Sequence, residues 1–169
     1  LIPLTAAVGA VGFVLVVAGA RPGAGALVLR LWGRLRSLPL RSYLAALFLV
    51  SLALHLLVGW AAFRLRPSIP DSLDQIFQAR LLLSGRLWAP APPEPDAFRF
   101  LYMIVRDGRW YSQYPPGHPL LLALGLAAGL PWLVVPLLGS LAVPALYALG
   151  REVYDDETGR LAALLGFLS

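Results

Sequence analysis

The stretch Tyr43–Phe63, YLAALFLVSLALHLLVGWAAF, contains 21 residues without a formal charge. An α-helix needs about 20 apolar residues to cross the hydrocarbon core of a bilayer. Tyr43 and Trp60 lie near its ends, where aromatic side chains collect at membrane–water interfaces. The stretch therefore predicts a transmembrane helix over residues 43–63. His55 within it is a candidate functional residue, and a neutral histidine bonded to a neighbouring helix is the alternative interpretation.

The composition of the whole chain also indicates a membrane protein. Of its 169 residues, 59% are hydrophobic and 14% are charged, and the mean hydropathy is +0.73. Soluble domains have about 25% charged residues. The absence of cysteine excludes disulfides and thiolate chemistry. All 14 basic residues are arginines, and the lack of Lys and Asn, whose codons are AT-rich, indicates a GC-rich bacterial genome.

The charge on the N-terminal side predicts the orientation of the chain. Residues 21–42 hold five arginines and no acid, and short arginine-rich loops stay in the cytoplasm. Leucines between these arginines indicate a basic amphipathic helix on the membrane surface, with a solvated loop as the alternative. Residues 1–20 are uncharged and predict a first transmembrane helix. A signal peptide is the competing interpretation, but the basic segment that precedes such peptides is missing.

The C-terminal half predicts a second crossing of the membrane. Residues 64–130 form an extracytoplasmic segment that ends in a short apolar helix at the outer interface, over about 119–128. Residues 131–150 predict a transmembrane helix back to the cytoplasm. Residues 151–160 are then a short cytoplasmic turn, and residues 161–169 begin a further span. The alternative is a hairpin of two short helices, which would place residues 151–160 outside.

The extracytoplasmic segment opens with PDSLDQIFQARLLLSG, residues 70–85, which predicts a helix. Asp71 is expected to be its N-cap, with Asp74 at the capping-box position and Gly85 just beyond its end. A polar stripe of Asp71, Gln75 and Gln78 is expected to face a cleft while an apolar stripe faces the membrane. A carboxylate held there is suited to act as a general base. The alternative for Asp71 is that it only caps the helix.

A second group of polar and aromatic residues occupies positions 107–119, DGRWYSQYPPGHP. Asp107-Gly108 predicts a turn. Tyr114 is interpreted either as a platform for a sugar or as part of an interfacial aromatic belt. His118 is interpreted either as a ligand for a phosphate or sugar or as a residue at the start of a helix. The proline-rich residues 88–96 predict a stiff, extended linker.

The order of these motifs resembles the N-terminal part of bacterial glycosyltransferases of the GT-C superfamily. The motifs are FQAR (77–80), GRLWAP (85–90), the run 107–119, GREVY (150–154) and TGRLAAL (158–164). They are most similar to the family that includes protein O-mannosyltransferases and the aminoarabinose transferase of lipid A. The resemblance covers about residues 43–169. It implies an all-α, polytopic membrane bundle with interfacial helices in a long first outer loop, of which this chain is expected to be an N-terminal part, inactive alone.

The resemblance implies an inner-membrane enzyme whose active site faces outside. Such an enzyme moves a sugar from a polyprenyl-phosphate donor to a hydroxyl of a glycan, lipid or protein acceptor by a single inverting displacement. Asp71 takes the position of the catalytic aspartate, Ser72 replaces the glutamate that often follows it, and Asp74 can substitute for that acid one turn away. The candidate substrate-binding residues are Tyr114, His118, Arg80, Arg86 and Arg109.

No metal site is assigned, because no cluster of ligands with metal-binding spacing is present in the sequence. No cofactor is expected beyond the lipid-linked donor substrate. The net charge of +5 is attributed to topology and not to nucleic-acid binding. The alternative function is a component of a transporter or flippase for a lipid-linked substrate, with His55 on its path.

Overall fold

A computed structural model describes residues 24–67, 69–98 and 102–168. The described residues form six α-helices, one 3₁₀ helix and three short strands. In chain order these are α1 (Ala24–Arg36), α2 (Leu40–Phe63), α3 (Pro70–Leu83), β1 (Ala89–Pro90), the 3₁₀ helix (Pro95–Phe98), β2 (Met103–Arg106), β3 (Arg109–Ser112), α4 (Gly117–Ala127), α5 (Pro131–Val153) and α6 (Asp156–Leu168). The predicted transmembrane helix over residues 1–20 lies outside the described residues.

Two helices are long and apolar enough to cross a membrane. Helix α2 has 24 residues with a mean hydropathy of 2.2, and α5 has 23 residues with a mean hydropathy of 1.9. At 1.5 Å per residue each is about 35 Å long, which exceeds the bilayer core of about 30 Å. They include the segments 43–63 and 131–150, for which the sequence predicts spans. The multi-pass topology and the inner-membrane location stay predictions.

The chain is mostly helical, as expected, but it is not all-α. Three strands in the outer segment form an antiparallel sheet in the order β1-β3-β2. Asp107 and Gly108 join β2 to β3 with φ angles of 51° and 72°, as a type I′ hairpin requires, so the predicted turn is confirmed. The linker predicted over residues 88–96 contains β1. Strands of two to four residues are too short for their alternation to be recognised in a sequence.

Helix α3 begins earlier than predicted. Its N-cap is Ile69, and Pro70 is its first residue. The Ser72 hydroxyl donates to the Ile69 carbonyl at 2.8 Å and accepts from the Ile69 N–H at 3.4 Å. The capping box predicted for Asp71 and Asp74 is therefore wrong, because proline favours the first helical position and moves the start ahead of Asp71.

The C-terminal end of α3 agrees with the prediction. Gly85 follows the C-cap Ser84 with φ of 74°. Its N–H donates to the Leu82 carbonyl at 2.9 Å, and the N–H of Arg86 donates to the Leu81 carbonyl at 2.8 Å. This pair of hydrogen bonds is a Schellman motif, which needs the left-handed backbone that glycine adopts without strain.

The described residues belong to two compact units. One comprises residues 24–51 and 140–168, and its core is formed by Tyr43, Leu47, Val143, Tyr147 and Ala163. The other comprises the described residues of 52–139, where α3 packs along α4. The core of that second unit consists of Ala79, Leu122 and Ala123, bordered by Ile76, Leu82, Leu126 and Val134. The candidate site lies entirely within the second unit.

The connection between α4 and α5 is a tight turn. Gly129 has φ of 73°, and the N–H of Leu130 donates to the Gly125 carbonyl at 2.8 Å. A Cβ on Gly125 would lie 2.4 Å from Cγ2 of Val134, so this glycine permits the close approach of the two helices. Helix α4 has 11 residues and is about 16 Å long, which is too short for a span. The lengths thus favour a short apolar helix followed by one long helix over a hairpin of two equal helices.

Candidate functional site

The polar face of α3 meets the segment that leads into α4. Residues at positions i, i+4 and i+7 share one side of a helix, and the predicted stripe of Asp71, Gln75 and Gln78 follows this spacing. Each of the three contacts one residue of the run 107–119. The pairs are Asp71 with Tyr114, Gln75 with His118 and Gln78 with Ser112. Two motifs far apart in the sequence are therefore brought together.

Asp71 and Tyr114 form the outermost of these pairs. The Tyr114 hydroxyl lies close enough to the Asp71 carboxylate to interact with it electrostatically. Loss of solvent raises the pKa of Tyr114 above its ordinary value, and the interaction with the Asp71 carboxylate raises it further. The N-cap of α3 is Ile69, so the Asp71 carboxylate is not its cap. The Asp71 carboxylate is partly exposed, so a ligand can reach it.

Asp74 lies one turn further along α3 in a different environment. It is 4% exposed, and its Oδ2 atom has no hydrogen-bond partner among the described residues. Burial raises the pKa of Asp74, and the nearby charge of Asp71 raises it further. The two carboxyl groups are thus placed differently, one partly exposed beside a donor and the other buried without one. Pairs of acids in contrasting environments are a common way to divide acid and base roles.

Gln78 fixes the polar run against α3. It is 6% exposed, and its Nε2 donates to the Leu87 carbonyl at 3.0 Å. Its Oε1 accepts from the Ser112 N–H at 3.1 Å. The Ser112 hydroxyl in turn accepts from the Tyr114 N–H at 3.3 Å. Both ends of the amide are satisfied, and the chain of bonds runs from α3 to the backbone of Tyr114.

His118 lies in the first turn of α4 and is partly buried. Its Nδ1 contacts Oε1 of Gln75. An amide oxygen only accepts, so Nδ1 is the donor of this pair and Nε2 is left for a ligand. The ring of Tyr102 packs against that of Tyr114, with centroids 5.5 Å apart. Two of the five predicted binding residues, Tyr114 and His118, therefore lie at the polar face of α3.

The three predicted arginines lie elsewhere. Arg80 follows Asp71 by nine residues, which places it about 14 Å along the axis and on the opposite side of α3. Arg86 is exposed beyond the end of that helix. The guanidinium of Arg109 lies over the ring of Trp88, 5.0 Å from its centroid. Within the described part of the chain, no ion pair links these arginines to the α3 carboxylates.

Gln75 and Gln78 are the site residues that sequence reasoning did not assign. Their only signal is their place on the polar stripe with Asp71. Their contacts with His118 and Ser112 cross 43 and 34 residues of sequence and follow from tertiary packing. His55, a candidate for the transporter alternative, packs its ring against Gly139 of α5.

No group of three or more His, Asp or Glu side chains within the described ranges could hold a metal ion. No family model matches the chain, and no curated protein and no solved structure is significantly similar to it.

Proposed function

We propose that this chain is part of a membrane glycosyltransferase that transfers a sugar from a polyprenyl-phosphate donor to an acceptor hydroxyl on the extracytoplasmic face. The observation that carries the proposal is the pairing of the partly exposed Asp71 carboxylate with Tyr114. The pair lies at the start of α3, beside the Tyr-Pro-Pro segment. A general base needs this combination of a fixed position, a free carboxylate oxygen and access for a ligand.

The reaction is a single displacement at the anomeric carbon. Asp71 accepts the proton of the acceptor hydroxyl as that oxygen forms a bond to the anomeric carbon. The bond between the anomeric carbon and the phosphate oxygen breaks, and polyprenyl phosphate leaves with the electron pair. The nucleophile and the leaving group lie on opposite sides of the carbon, so the configuration inverts. Tyr114 orients the base through this pairing.

Asp74 and His118 have supporting roles. Burial raises the pKa of Asp74, so this group holds its proton more readily than an exposed aspartate does. The raised pKa of Asp74 thus lowers its tendency to add a second negative charge beside Asp71. The Nε2 atom of His118 accepts a hydrogen bond from a sugar hydroxyl while Nδ1 stays on Gln75. The long apolar helices α2 and α5 hold the site beside the bilayer that contains the lipid donor.

The test uses membranes that contain the full-length gene product. Wild type, Asp71→Asn, Asp74→Asn and the control Glu94→Gln, an exposed acid of the same segment, are compared at equal expression. The measurement is the release of polyprenyl phosphate from a panel of labelled polyprenyl-phosphate sugars. Removal of a general base costs about 10²–10⁴-fold, so we expect at least a 100-fold loss for Asp71→Asn and wild-type rates for Glu94→Gln.

Two outcomes would contradict the proposal. One is an Asp71→Asn protein that keeps the wild-type rate. The other is a wild-type protein that consumes no donor but moves it across the bilayer of a liposome, as the transporter alternative requires. Retention of most activity by Asp74→Asn is compatible with its supporting role.

A further inference from the structure

The open face of the small sheet carries aromatic and cationic side chains that the proposed transfer reaction does not use. Strand β3 alternates: Trp110 packs on Phe77 of α3, with ring centroids 4.4 Å apart, and Ser112 is bonded to Gln78. The intervening residues, Arg109 and Tyr111, point to the other side, since successive strand residues face opposite ways. One face of β3 is thus fixed to α3 and the other is left open.

The strand register arranges the open face in two rows. Ala89 pairs with Trp110 and Pro90 with Arg109. Continued by one residue, this register places Trp88, which precedes β1, opposite Tyr111, and both side chains line the same depression. Arg106 of β2 pairs directly with Arg109. An aromatic row of Trp88 and Tyr111 therefore lies beside a cationic row of Arg106 and Arg109.

The two arginines are an unfavourable pair in the absence of a ligand. Like charges directly opposite each other on neighbouring strands destabilise a sheet. Asp107 offsets part of this repulsion, at 3.5 Å from Nε of Arg106, but both side chains are largely exposed. Trp88 holds the other guanidinium, that of Arg109, by a cation–π contact at 5.0 Å. The Arg109 guanidinium is thus positioned by Trp88, whereas that of Arg106 has only an exposed contact with Asp107.

A shallow, open depression of about 350 Å³ lies over this face. Its lining consists of Leu87, Trp88, Arg106, Asp107, Arg109 and Tyr111. The volume falls within the range of small-molecule sites, about 300–1,000 Å³. Trp88 is 42% exposed; the Arg109 guanidinium covers one face of its ring, and the rest of its apolar surface is open to a ligand. Two guanidinium forks suit a carboxylate or phosphate group, which they bind through paired hydrogen bonds.

We infer that this open face of the hairpin binds an anionic saccharide, a sugar chain that carries carboxylate or phosphate groups. The aromatic row takes the C–H face of a sugar ring, the cationic row takes its anionic group, and the Asp107 carboxylate accepts from ring hydroxyls. A lipid headgroup or a free anion offers the charge but no C–H face for Trp88 and Tyr111. The inference concerns binding and does not depend on sugar transfer at Asp71.

The test measures binding to the purified full-length protein in nanodiscs of zwitterionic lipid. The probe is a hyaluronan tetrasaccharide, which has a carboxylate on alternate rings. Chitotetraose is the uncharged control of equal length, and inorganic phosphate is the free-anion control. The variants are Arg106→Gln/Arg109→Gln, Trp88→Ala, Trp88→Phe and Asp71→Asn. The double variant Arg30→Gln/Arg34→Gln removes the same charge from α1 and is the matched control.

We expect the tetrasaccharide to bind at least tenfold more tightly than chitotetraose. The double substitution of Arg106 and Arg109 weakens binding at least tenfold, as does Trp88→Ala, while Trp88→Phe and the α1 control keep it. Asp71→Asn also keeps it, so a failed transfer assay does not affect this result. Circular dichroism spectra that match wild type show that each variant is folded.

Three outcomes would overturn the inference. The first is the absence of tetrasaccharide binding to the wild type. The second is binding that persists in the folded Arg106→Gln/Arg109→Gln variant. The third is equal competition by inorganic phosphate or by vesicles of anionic lipid, which would identify a simple anion or headgroup site.

Discussion

The hydroxyl of Tyr114 interacts with the carboxylate of Asp71 across 43 residues of sequence, and this interaction raises the pKa of the tyrosine. Gln75 and His118 pair at the same separation one helical turn along, so the start of α3 lies beside the start of α4. Both the proposed chemistry and the first prediction depend on this pair.

The substitution Asp71→Asn should lower the pKa of Tyr114 toward its ordinary value. The interaction with the negatively charged carboxylate raises that pKa, and an amide carries no such charge. Part of the rise should persist, because desolvation is its largest cause. The measurement is a phenolate absorbance titration with the Tyr114→Phe curve subtracted. Asp107→Asn, which removes an exposed acid of the hairpin, should leave the titration unchanged.

The stability of Asp74→Asn relative to wild type should be higher at pH 7 than at pH 4, by about 1 kcal/mol. The pKa of Asp74 is raised in the folded state, so the folded protein favours the protonated group. Stability from this group is complete below its ordinary pKa and is lost as pH rises through the raised value. Unfolding in detergent at the two pH values measures the effect. A wild type that gains stability over Asp74→Asn between pH 4 and pH 7 would have the wrong sign.

The substitution Gln78→Met should destabilise the protein by about 1–3 kcal/mol. It keeps the shape of the side chain but leaves the buried Ser112 N–H without a partner, whereas water can reach the carbonyl of the exposed Leu87. Hydrogen exchange of the Ser112 amide should become faster. The exposed Gln113 offers a matched control, and Gln113→Met should change stability by no more than about 0.5 kcal/mol. Equal effects of the two substitutions would remove the role assigned to Gln78.

Local signals in the sequence were sufficient for the two long apolar helices and for two turns, but not for the start of α6, since residues 156–160 were expected to belong to a turn. The long apolar runs predicted helices at α2 and α5, and Gly85 and Asp107-Gly108 predicted a helix end and a turn that the structure contains. Each of these features depends on neighbouring residues only. The N-cap was wrong because two local signals competed, and the preference of Pro70 for the first helical position prevailed over that of Asp71 for the cap.

The candidate site was only partly predictable for the opposite reason. Asp71, Tyr114 and His118 could be chosen by residue type, but the side of α3 that meets the Tyr-Pro-Pro segment depends on how α3 packs on α4. That packing assigned structural roles to Gln75 and Gln78. Arg80 was a candidate because of its residue type and its place in a motif, but it lies on the side of α3 away from this contact.

Asp156 should show the opposite pH dependence to Asp74. The Asp156 carboxylate accepts a hydrogen bond from the Tyr147 hydroxyl at 2.6 Å and another from Nε of Arg160 at 2.8 Å. Both bonds lower the pKa of this carboxyl. Its contribution is present above its ordinary pKa and is lost as pH falls through the lowered value. Asp156→Asn should therefore destabilise at pH 7, by about 1 kcal/mol after allowance for solvent screening of a half-exposed group, and much less at pH 2. The exposed Glu152→Gln is the control, and a loss independent of pH would contradict the ionic role.

Gly125→Ala should destabilise the protein by about 1–3 kcal/mol, whereas Gly117→Ala in the same helix should be neutral or slightly stabilising. A Cβ on Gly125 would lie 2.4 Å from Cγ2 of Val134 and 3.2 Å from Cα of Pro131, while a Cβ on Gly117 meets nothing within 4 Å. The Pro131 backbone cannot retreat easily, because the Leu130 N–H is bonded to the Gly125 carbonyl at 2.8 Å. Thermal unfolding in detergent compares the two variants. Adding Val134→Ala should recover part of the stability lost in Gly125→Ala, because it removes the closest clashing atom. If the effects of the two substitutions are purely additive, the α4–α5 contact is looser than these distances imply.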